Sequence, residues 1–230
     1  MKTKDLIKII EDFAPPETQE SWDNCGWQIF TDIKEIKKIM LCLSVTKDII
    51  NQAQNKSCDL ILAHHPLFFV PIEYNKNIPV YSVHTNLDKA DGGTTDTIIK
   101  ALGYKKSEKI GDFLRIVTDN ILLEDLILKL KISLNLQSIR VVNNANIEQI
   151  KRIAICAGSG SEFLDIAKEN NADILITGDI KYHTALDSNI AMIDIGHFES
   201  EILVLQTLKK LLENNVEVVF AKEKSPFKNY

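Results

Sequence analysis

The chain has 230 residues, of which 45% are apolar and 26% are charged, and this balance is typical of a globular protein and excludes bulk disorder. Its 27 basic and 32 acidic residues give a net charge of −5, which disfavours a protein whose main role is to bind nucleic-acid backbones. No apolar run is long enough to cross a bilayer, and the N-terminus has no signal-peptide core, so we expect a soluble, cytoplasmic protein.

Hydrophobic periodicity predicts alternating helices and strands along the whole chain. In the first half it predicts helices at Thr3–Phe13, Lys47–Lys56 and Thr94–Leu102, and strands at Lys38–Leu43, Asp59–Ala63, Val80–Val83 and Arg115–Thr118. In the second half it predicts helices at Leu122–Leu134, Glu162–Asn170 and Phe198–Asn214, and strands at Gln137–Val142, Arg152–Ala157, Asp173–Thr177, Ala191–Ile195 and Glu217–Phe220. Continuous apolar strands between amphipathic helices are typical of an α/β fold with mostly parallel sheets flanked by helices.

The chain also contains an internal repeat. A shift of 114 residues places Lys37–His65 on Lys151–Asp179 without a gap, and the identical pairs include Ile39/Ile153, Cys42/Cys156, Ala53/Ala167 and Asp59/Asp173. A shift of 113 places His84 on His197 and Asp88 on Glu201. Any two βαβ units look alike, but the ungapped spacing and the repeated His-x-x-x-acid pattern favour a duplication. We therefore expect two similar α/β lobes, at about 1–118 and 119–230.

The five histidines all follow predicted strands, and they are His64, His65, His84, His183 and His197. In open α/β sheets, ligands collect at the carboxyl ends of the strands. Five histidines with purely structural roles would not be expected to cluster in this way. The distribution therefore points to a site at these strand ends.

The residue types favour a site for two divalent cations. Neighbouring side chains of an extended backbone point in opposite directions, so His64 and His65 suit two adjacent ions better than one. His197 and Glu201 are four residues apart at the start of a predicted helix and share one face, and Asp88 adds a carboxylate. Imidazole with carboxylate suits Zn, Fe, Mn, Co or Ni.

Each of these short patterns is weak when taken alone, because a His-x-x-x-Glu is more often a pair on a helix surface and a His-His is often part of a turn. The joint arrangement is stronger. His84 and His183 remain open: each could orient a ligand, act as an acid or base, or be a core histidine. The four cysteines are expected to be reduced, and Gly158-Ser159-Gly160-Ser161 is expected to be a tight turn between strand and helix.

The chain resembles the family named after NGG-one-interacting factor three, many bacterial members of which carry the name GTP cyclohydrolase 1 type 2 homolog. The motifs that carry the resemblance are Trp22-Asp23-Asn24-x-Gly26, His64-His65-Pro66-Leu67-Phe68-Phe69, His84-Thr85-Asn86-Leu87-Asp88, Gly92-Gly93, Thr177-Gly178-Asp179-Ile180-Lys181-Tyr182-His183, Gly196-His197-Phe198-Glu199-Ser200-Glu201 and Ser225-Pro226-Phe227. They cover nearly the whole chain, which would be one family domain of the short form without the inserted central domain.

The resemblance implies a dinuclear metal site with the ligands His64, His65, Asp88, His197 and Glu201, which are the residues already selected by spacing. It also implies two α/β lobes and a ring-shaped homohexamer. Cys25 departs from the family pattern, which usually has a small or apolar residue at that position, and it adds a thiol to the Trp-Asp-Asn-x-Gly motif.

Three functions compete at this point. The favoured one is a metal-dependent hydrolase acting on a nucleotide or phosphoester-like small molecule, with His84 as a catalytic proton shuttle. The alternative is a metal-handling or regulatory binding protein without turnover. A nucleic-acid-binding ring is disfavoured by the net charge of −5.

Overall fold

The computed structural model describes residues 1–74 and 78–228. The chain forms two compact units. Unit 1 is Met1–Gly93 with Val204–Lys224, and unit 2 is Thr94–Leu203 with the described part of the tail from Ser225. These bounds differ from the lobes at 1–118 and 119–230 at two places. The strand Leu114–Leu122 belongs to the sheet of unit 2, and the last strand, Glu217–Phe220, belongs to the sheet of unit 1.

The elements of unit 1 before Gly93 are α1 (Thr3–Phe13), β1 (Gly26–Ile29), β2 (Lys38–Cys42), α2 (Lys47–Asn55), β3 (Leu60–Ala63), β4 (Val80–Ser82) and α3 (Thr85–Lys89). Unit 2 contains α4 (Thr94–Ala101), β5 (Glu108–Ile110), β6 (Leu114–Leu122), α5 (Leu123–Ser133), β7 (Arg140–Val142), β8 (Gln149–Ile155), α6 (Leu164–Glu169), β9 (Ile174–Thr177), α7 (Tyr182–Asp187), β10 (Ala191–Asp194) and α8 (His197–Glu201). The chain then re-enters unit 1 as α9 (Val204–Leu212) and β11 (Glu217–Phe220).

The α/β class is confirmed, and both sheets are mixed. The order in unit 1 is β1-β4-β3-β2-β11, where only the edge strand β1 pairs antiparallel. The order in unit 2 is β5-β6-β8-β9-β10-β7, where β8, β9 and β10 are parallel and the flanking strands are antiparallel. Apolar runs predict burial but carry no information about the direction of a partner strand, so the antiparallel pairs of unit 2 were not predicted.

The core of each unit follows from the apolar strands. In unit 1, side chains of β2 and β3 such as Met40 and Ile61 pack with Ile49, Ile50 and Ala53 of α2. In unit 2, Ile153 and Ile155 of β8 contribute to one buried cluster, whereas Ala154 and Cys156 contribute to another. The strand is therefore covered on both faces, which explains its continuous apolar sequence.

The predicted helix Phe198–Asn214 is wrong, because it is two helices. Helix α8 ends at Glu201 and α9 begins at Val204, with a turn between them. The apolar periodicity continues through the turn, so the pattern alone does not reveal it. The break separates the end of unit 2 from the returning segment of unit 1.

The sequence repeat coincides with equivalent local structure in the two units. Asp59 accepts hydrogen bonds from the backbone N–H groups of Lys37 and Lys38 at 2.8 and 3.0 Å. Asp173 accepts from those of Lys151 and Arg152 at 2.7 and 2.8 Å. The strand registers agree as well, since Ile39 pairs with Leu60 and Ile153 pairs with Ile174. The residues related by the 114-residue shift thus occupy equivalent places within each unit.

Among the described residues, none of the helices has the length and apolar character required to span a membrane.

Candidate metal centre

His64 continues directly from the buried strand β3 and is itself fully buried. Its backbone N–H donates to Cys42 O, and its Nδ1 lies 2.8 Å from Val83 O. Because a carbonyl oxygen can only accept, Nδ1 must carry the ring hydrogen, so the neutral ring has its lone pair on Nε2. This is the tautomer with which a histidine coordinates a metal through Nε2.

His65 is held by Leu43 and Ser44, the two residues that follow β2. Its backbone N–H donates to Leu43 O at 2.8 Å, and its Nδ1 lies 2.6 Å from Ser44 Oγ. The ring centroids of His64 and His65 are 4.9 Å apart. The two neighbouring histidines therefore have different oxygen partners on Nδ1, a carbonyl for His64 and a hydroxyl for His65.

His84 directly precedes α3, and Asp88 lies on that helix. The His84 ring centroid lies 5.1 Å from that of His64 and 5.5 Å from that of His65. One ring nitrogen from each of these three histidines lies within 4.8 Å of the other two. Asp88 Oδ1 lies 3.6 Å from His64 Nε2. Unit 1 thus brings together four of the predicted site residues.

Asp23 orients His84. Its Oδ1 lies 3.0 Å from His84 Nδ1, and its Oδ2 accepts hydrogen bonds from the N–H and the hydroxyl of Thr85. Burial acts to raise the pKa of Asp23, but the hydrogen bonds with His84 and Thr85 outweigh it and hold the pKa well below its ordinary value. Asp23 is therefore ionised and keeps the ring hydrogen of His84 on Nδ1, with the lone pair on Nε2.

Cys25 is a hydrogen-bond donor to this network. Its Sγ lies 3.2 Å from Asp23 Oδ2 and 3.0 Å from Asn86 Oδ1. Burial raises the pKa of the Cys25 thiol to about 12, so the sulfur stays protonated at neutral pH. A neutral thiol is a poor nucleophile and a poor metal ligand. Cys25 therefore supports Asp23.

In unit 2, α8 carries both His197 and Glu201. His197 Nε2 lies 3.2 Å from Glu201 Oε1, and Glu201 is 3% exposed. On the other side of the ring, Nδ1 lies 2.7 Å from Asp179 Oδ2. Glu201 raises the pKa of His197 to about 9, and Asp179 adds to the effect. His197 and Glu201 could instead hold a divalent cation, which would balance the charge of the carboxylate in place of the proton.

Two glycines make room for this pair. A Cβ at Gly158 would lie 2.5 Å from Glu201 Oε1, and the φ of Gly158 is +65°. A Cβ at Gly178 would lie 2.7 Å from His197 N. The loop at 158–161 is a turn as expected, since the N–H groups of Gly158 and Gly160 donate to the hydroxyls of Ser200 and Thr177. The loop supports the pair and its glycine N–H groups are already bonded within the protein.

The structure thus places His64, His65, His84 and Asp88 in unit 1 and His197 and Glu201 in unit 2. His183 lies on α7 and is exposed, with its ring centroid 5.3 Å from that of Tyr182. Sequence reasoning did not assign the carboxylates of Asp23 and Asp179 to their histidines. For Asp179 a signal was present, because the repeat aligns it with His65.

The donor set fits divalent transition metals. Each histidine of the set has an oxygen atom on Nδ1, a pattern typical of metal-binding histidines. Imidazole nitrogens with nearby carboxylate oxygens suit Zn, Fe, Mn, Co or Ni. In class, the chain is an α/β protein with histidine–carboxylate groups at the carboxyl ends of parallel strands.

The chain belongs to the Duf34/NIF3 (NGG1p interacting factor 3) family, whose sequence model matches residues 1–226. It is 38% identical over 261 aligned positions to the GTP cyclohydrolase 1 type 2 homolog of Clostridium perfringens, with 99% of each chain covered. It is 33% identical to the GTP cyclohydrolase 1 type 2 of Helicobacter pylori strain J99, with 86% of each chain covered. Among solved structures it is similar to the Staphylococcus aureus hypothetical protein SA1388, with a TM-score of 0.89, 27% identity, and 100% and 99% coverage.

Proposed function

We propose that this protein is a dinuclear metal-dependent hydrolase acting on a nucleotide or a phosphoester-like small molecule. His64, His65 and Asp88 of unit 1 and His197 and Glu201 of unit 2 would hold the two ions. The observation that carries the proposal is the buried His64, whose Nδ1 is committed to Val83 O and whose Nε2 lies 3.6 Å from Asp88 Oδ1. A fully buried imidazole beside a carboxylate is costly as a structural element and is well suited to coordination.

Divalent cations supply Lewis acidity, which activates water and stabilises negative charge in the transition state. The protein supplies the proton transfer. Asp23 keeps the hydrogen of His84 on Nδ1, so Nε2 takes a proton from the attacking water and returns it to the leaving group. An ionised Asp23 also stabilises the imidazolium that forms in between, which is the role of the carboxylate in other His-Asp pairs.

The substrate class follows from the family and from the parts of the site. The relatives named GTP cyclohydrolase 1 type 2 suggest a purine nucleotide, and the hydrolytic opening of a purine ring needs an activated water and a proton shuttle. Hydrolysis of a phosphoester needs the same parts. We therefore propose the broader class, a nucleotide or phosphoester, for this chain.

One observation favours the alternative of a metal-handling protein without turnover. The ligand atoms of His64, His65 and His84 lie within 4.8 Å of one another. If His84 coordinates an ion instead of moving a proton, the site has no acid–base residue of its own. The two functions therefore differ in the role of His84.

The first test is elemental analysis of the untagged protein, purified without chelator, beside His64→Ala and Glu201→Ala. The matched control is His183→Ala, which removes an exposed histidine outside these groups. We expect about two transition-metal ions per chain in the wild type and the control, the stoichiometry of a two-metal site, and a loss in both other variants. Equal metal contents in all four proteins after reloading with Zn, Mn and Fe(II) would reject the site.

The second test separates hydrolase from metal handling with His84→Gln. A proton-shuttle role predicts that the variant keeps its metal and loses turnover by about 10²–10⁴-fold on the nucleotide or phosphoester that the wild type hydrolyses. Loss of metal from His84→Gln, together with no turnover by the wild type across a broad nucleotide and phosphoester panel, would support the metal-handling function instead.

A further inference from the structure

Glu223 lies in the segment that follows β11 in unit 1, far in sequence from any of the site motifs. Its Oε1 accepts the N–H of Leu43 at 2.7 Å, and its Oε2 lies 3.4 Å from the N–H of Ser44. Burial raises the pKa of Glu223. The Glu223 carboxylate therefore holds the backbone of Leu43 and Ser44 in place.

Leu43 and Ser44 hold His65 at two points. Leu43 O accepts the backbone N–H of His65 at 2.8 Å, and Ser44 Oγ lies 2.6 Å from His65 Nδ1. The two residues whose N–H groups face Glu223 are therefore the two residues that fix the backbone and the ring of His65. The path from Glu223 to the ring is short: it runs through the buried Leu43 to the backbone of His65 and through the exposed Ser44 to its ring.

The segment is tied to unit 1 independently of Glu223. Ala221 N donates to Leu41 O at 2.9 Å, and the side-chain amide of Gln52 bonds both the N–H and the C=O of Lys222. Removal of the Glu223 carboxylate therefore leaves the segment attached. The expected consequence is local and falls on Leu43, Ser44 and the ring they hold.

We propose that Glu223 is a positioning residue for His65, which acts through Leu43 and Ser44 to fix the ring in the orientation that coordinates a metal ion. The proposal rests on the proposed function, because it takes His65 to be a ligand. Its content is that the C-terminal segment of the chain sets the metal affinity of a histidine 158 positions earlier in sequence.

The experiment titrates the metal-free full-length protein with Zn²⁺ in competition with a chromophoric chelator, and with Co²⁺ to follow its visible absorption. The variants are Glu223→Ala, Glu223→Gln and Ser44→Ala, and the matched control is Glu217→Gln. Glu217 lies on β11, just before that segment, and forms an ion pair with Lys38. Thermal unfolding of each metal-free variant reports its stability separately.

We expect Glu223→Ala and Ser44→Ala to weaken Zn²⁺ binding by about tenfold or more, the usual effect of removing a partner that orients a metal-binding histidine. Glu223→Gln keeps one acceptor for Leu43 N–H and should fall between Glu223→Ala and the wild type. The Co²⁺ spectrum should change in the weakened variants. Ser44 and Glu223 act on the same ring, so their effects should not add. The double variant Ser44→Ala/Glu223→Ala should bind Zn²⁺ only slightly more weakly than the single variant with the lower Zn²⁺ affinity.

Wild-type affinity and an unchanged Co²⁺ spectrum in folded Glu223→Ala would overturn the inference, even if that variant unfolds at a lower temperature. If Glu223→Ala does not fold, Glu223→Gln, alone and combined with Ser44→Ala, decides the question in the same way. Failure of the wild type to bind either metal would instead overturn the proposed function, and this inference with it.

Discussion

At the scale of single residues, the four histidines of the candidate centre share one feature, an oxygen atom beside Nδ1. The partners are Val83 O for His64, Ser44 Oγ for His65, and the carboxylates of Asp23 and Asp179 for His84 and His197. With the hydrogen on Nδ1, the lone pair of the neutral ring is on Nε2. Val83 O and the two carboxylates can only accept, so they place a hydrogen on Nδ1 of His64, His84 and His197. The hydroxyl of Ser44 can donate or accept, so it orients the ring of His65 without fixing its tautomer.

Asp23→Asn should destabilise the protein at neutral pH and have less effect at acidic pH. The folded pKa of Asp23 lies below its ordinary value of 3.8, so its ionised form stabilises the fold above that pH, and this stabilisation is lost as the pH falls through the folded pKa. In urea unfolding, the wild type should have a higher free energy of unfolding than the variant. This difference should be constant above about pH 5 and should shrink below about pH 4. Asp12→Asn, which removes an exposed partner of Lys8, is the control and should lose little stability. An advantage that persists unchanged to pH 2 would contradict the assignment.

Gly158→Ala should lower the metal affinity of unit 2 as well as stability. Its φ of +65° is strained for alanine, and the new Cβ would lie 2.5 Å from Glu201 Oε1. Gly111→Ala is the matched control, because Gly111 has a φ of +58° with open space at the Cβ position. Both variants should lose about 1 kcal/mol of unfolding free energy from backbone strain. Only Gly158→Ala should lose Zn²⁺ affinity, and equal affinities in the two variants would show that Glu201 is not a ligand.

At the scale of elements, the strands place the site and short polar contacts hold the strands in register. His64 and His65 follow β3, and His197 follows β10. After β4, His84 precedes helix α3 and Asp88 lies on that helix. Strands β2 and β3 of unit 1 and β8 and β9 of unit 2 have equivalent registers, and each pair has an aspartate at the connection. The sequence repeat therefore corresponds to a repeated structural feature, a parallel strand pair with an aspartate that bonds the backbone at the start of the pair.

Asp59→Ala and Asp173→Ala should destabilise the protein to similar extents. Each substitution removes one carboxylate from two backbone N–H groups, which should cost about 1–2 kcal/mol of unfolding free energy. Urea denaturation measures the loss. Asp165→Ala, which removes an exposed carboxylate on α6, is the control and should be nearly neutral. A large loss at one position and none at the other would argue against equivalent roles in the two units.

At the scale of the whole molecule, unit 1 is built from two separate stretches of the chain, Met1–Gly93 and Val204–Lys224. Strand β11 completes the sheet of unit 1, and helix α9 also belongs to that unit, so folding of unit 1 requires residues on both sides of unit 2. Unit 1 also exposes large apolar side chains close in sequence to His65, with Phe69 at 91% and Ile72 at 82% exposure. Exposed apolar side chains become buried where protein surfaces associate, so this segment is a candidate for an assembly contact.

The purified protein should be a homohexamer, as the family resemblance implies. Light scattering coupled to size-exclusion chromatography should give about six times the chain mass of 26.0 kDa. Phe69→Ser should shift the mass downward if the exposed segment after His65 contributes to assembly, whereas Ile166→Ser, an exposed apolar residue of α6, is the comparison variant. A wild-type mass of one chain would contradict the prediction.

The candidate residues themselves were predictable because their signal is local. Histidines that follow apolar strands, and the four-residue spacing of His197 and Glu201, can be read from neighbouring positions. The partners were harder to predict for the opposite reason. Val83 lies 19 residues from His64, and Asp23 lies 61 residues from His84, so no periodic pattern connects them. The family resemblance implied the set of five ligands. The structure shows the contacts that these residues make within each unit, such as those of His64 with Asp88 and of His197 with Glu201.

The sequence by itself determined the alternation of strands and helices, the buried strands and the positions of the histidines after them, because burial and periodicity are properties of short segments. The tertiary structure decided that β11 pairs with β2, that the flanking strands of unit 2 are antiparallel, and that the predicted helix Phe198–Asn214 breaks. It also decided which oxygen holds each histidine, and that Glu223 faces Leu43 from 180 positions away. These features depend on contacts between segments distant in sequence, and such contacts form only when the chain has folded.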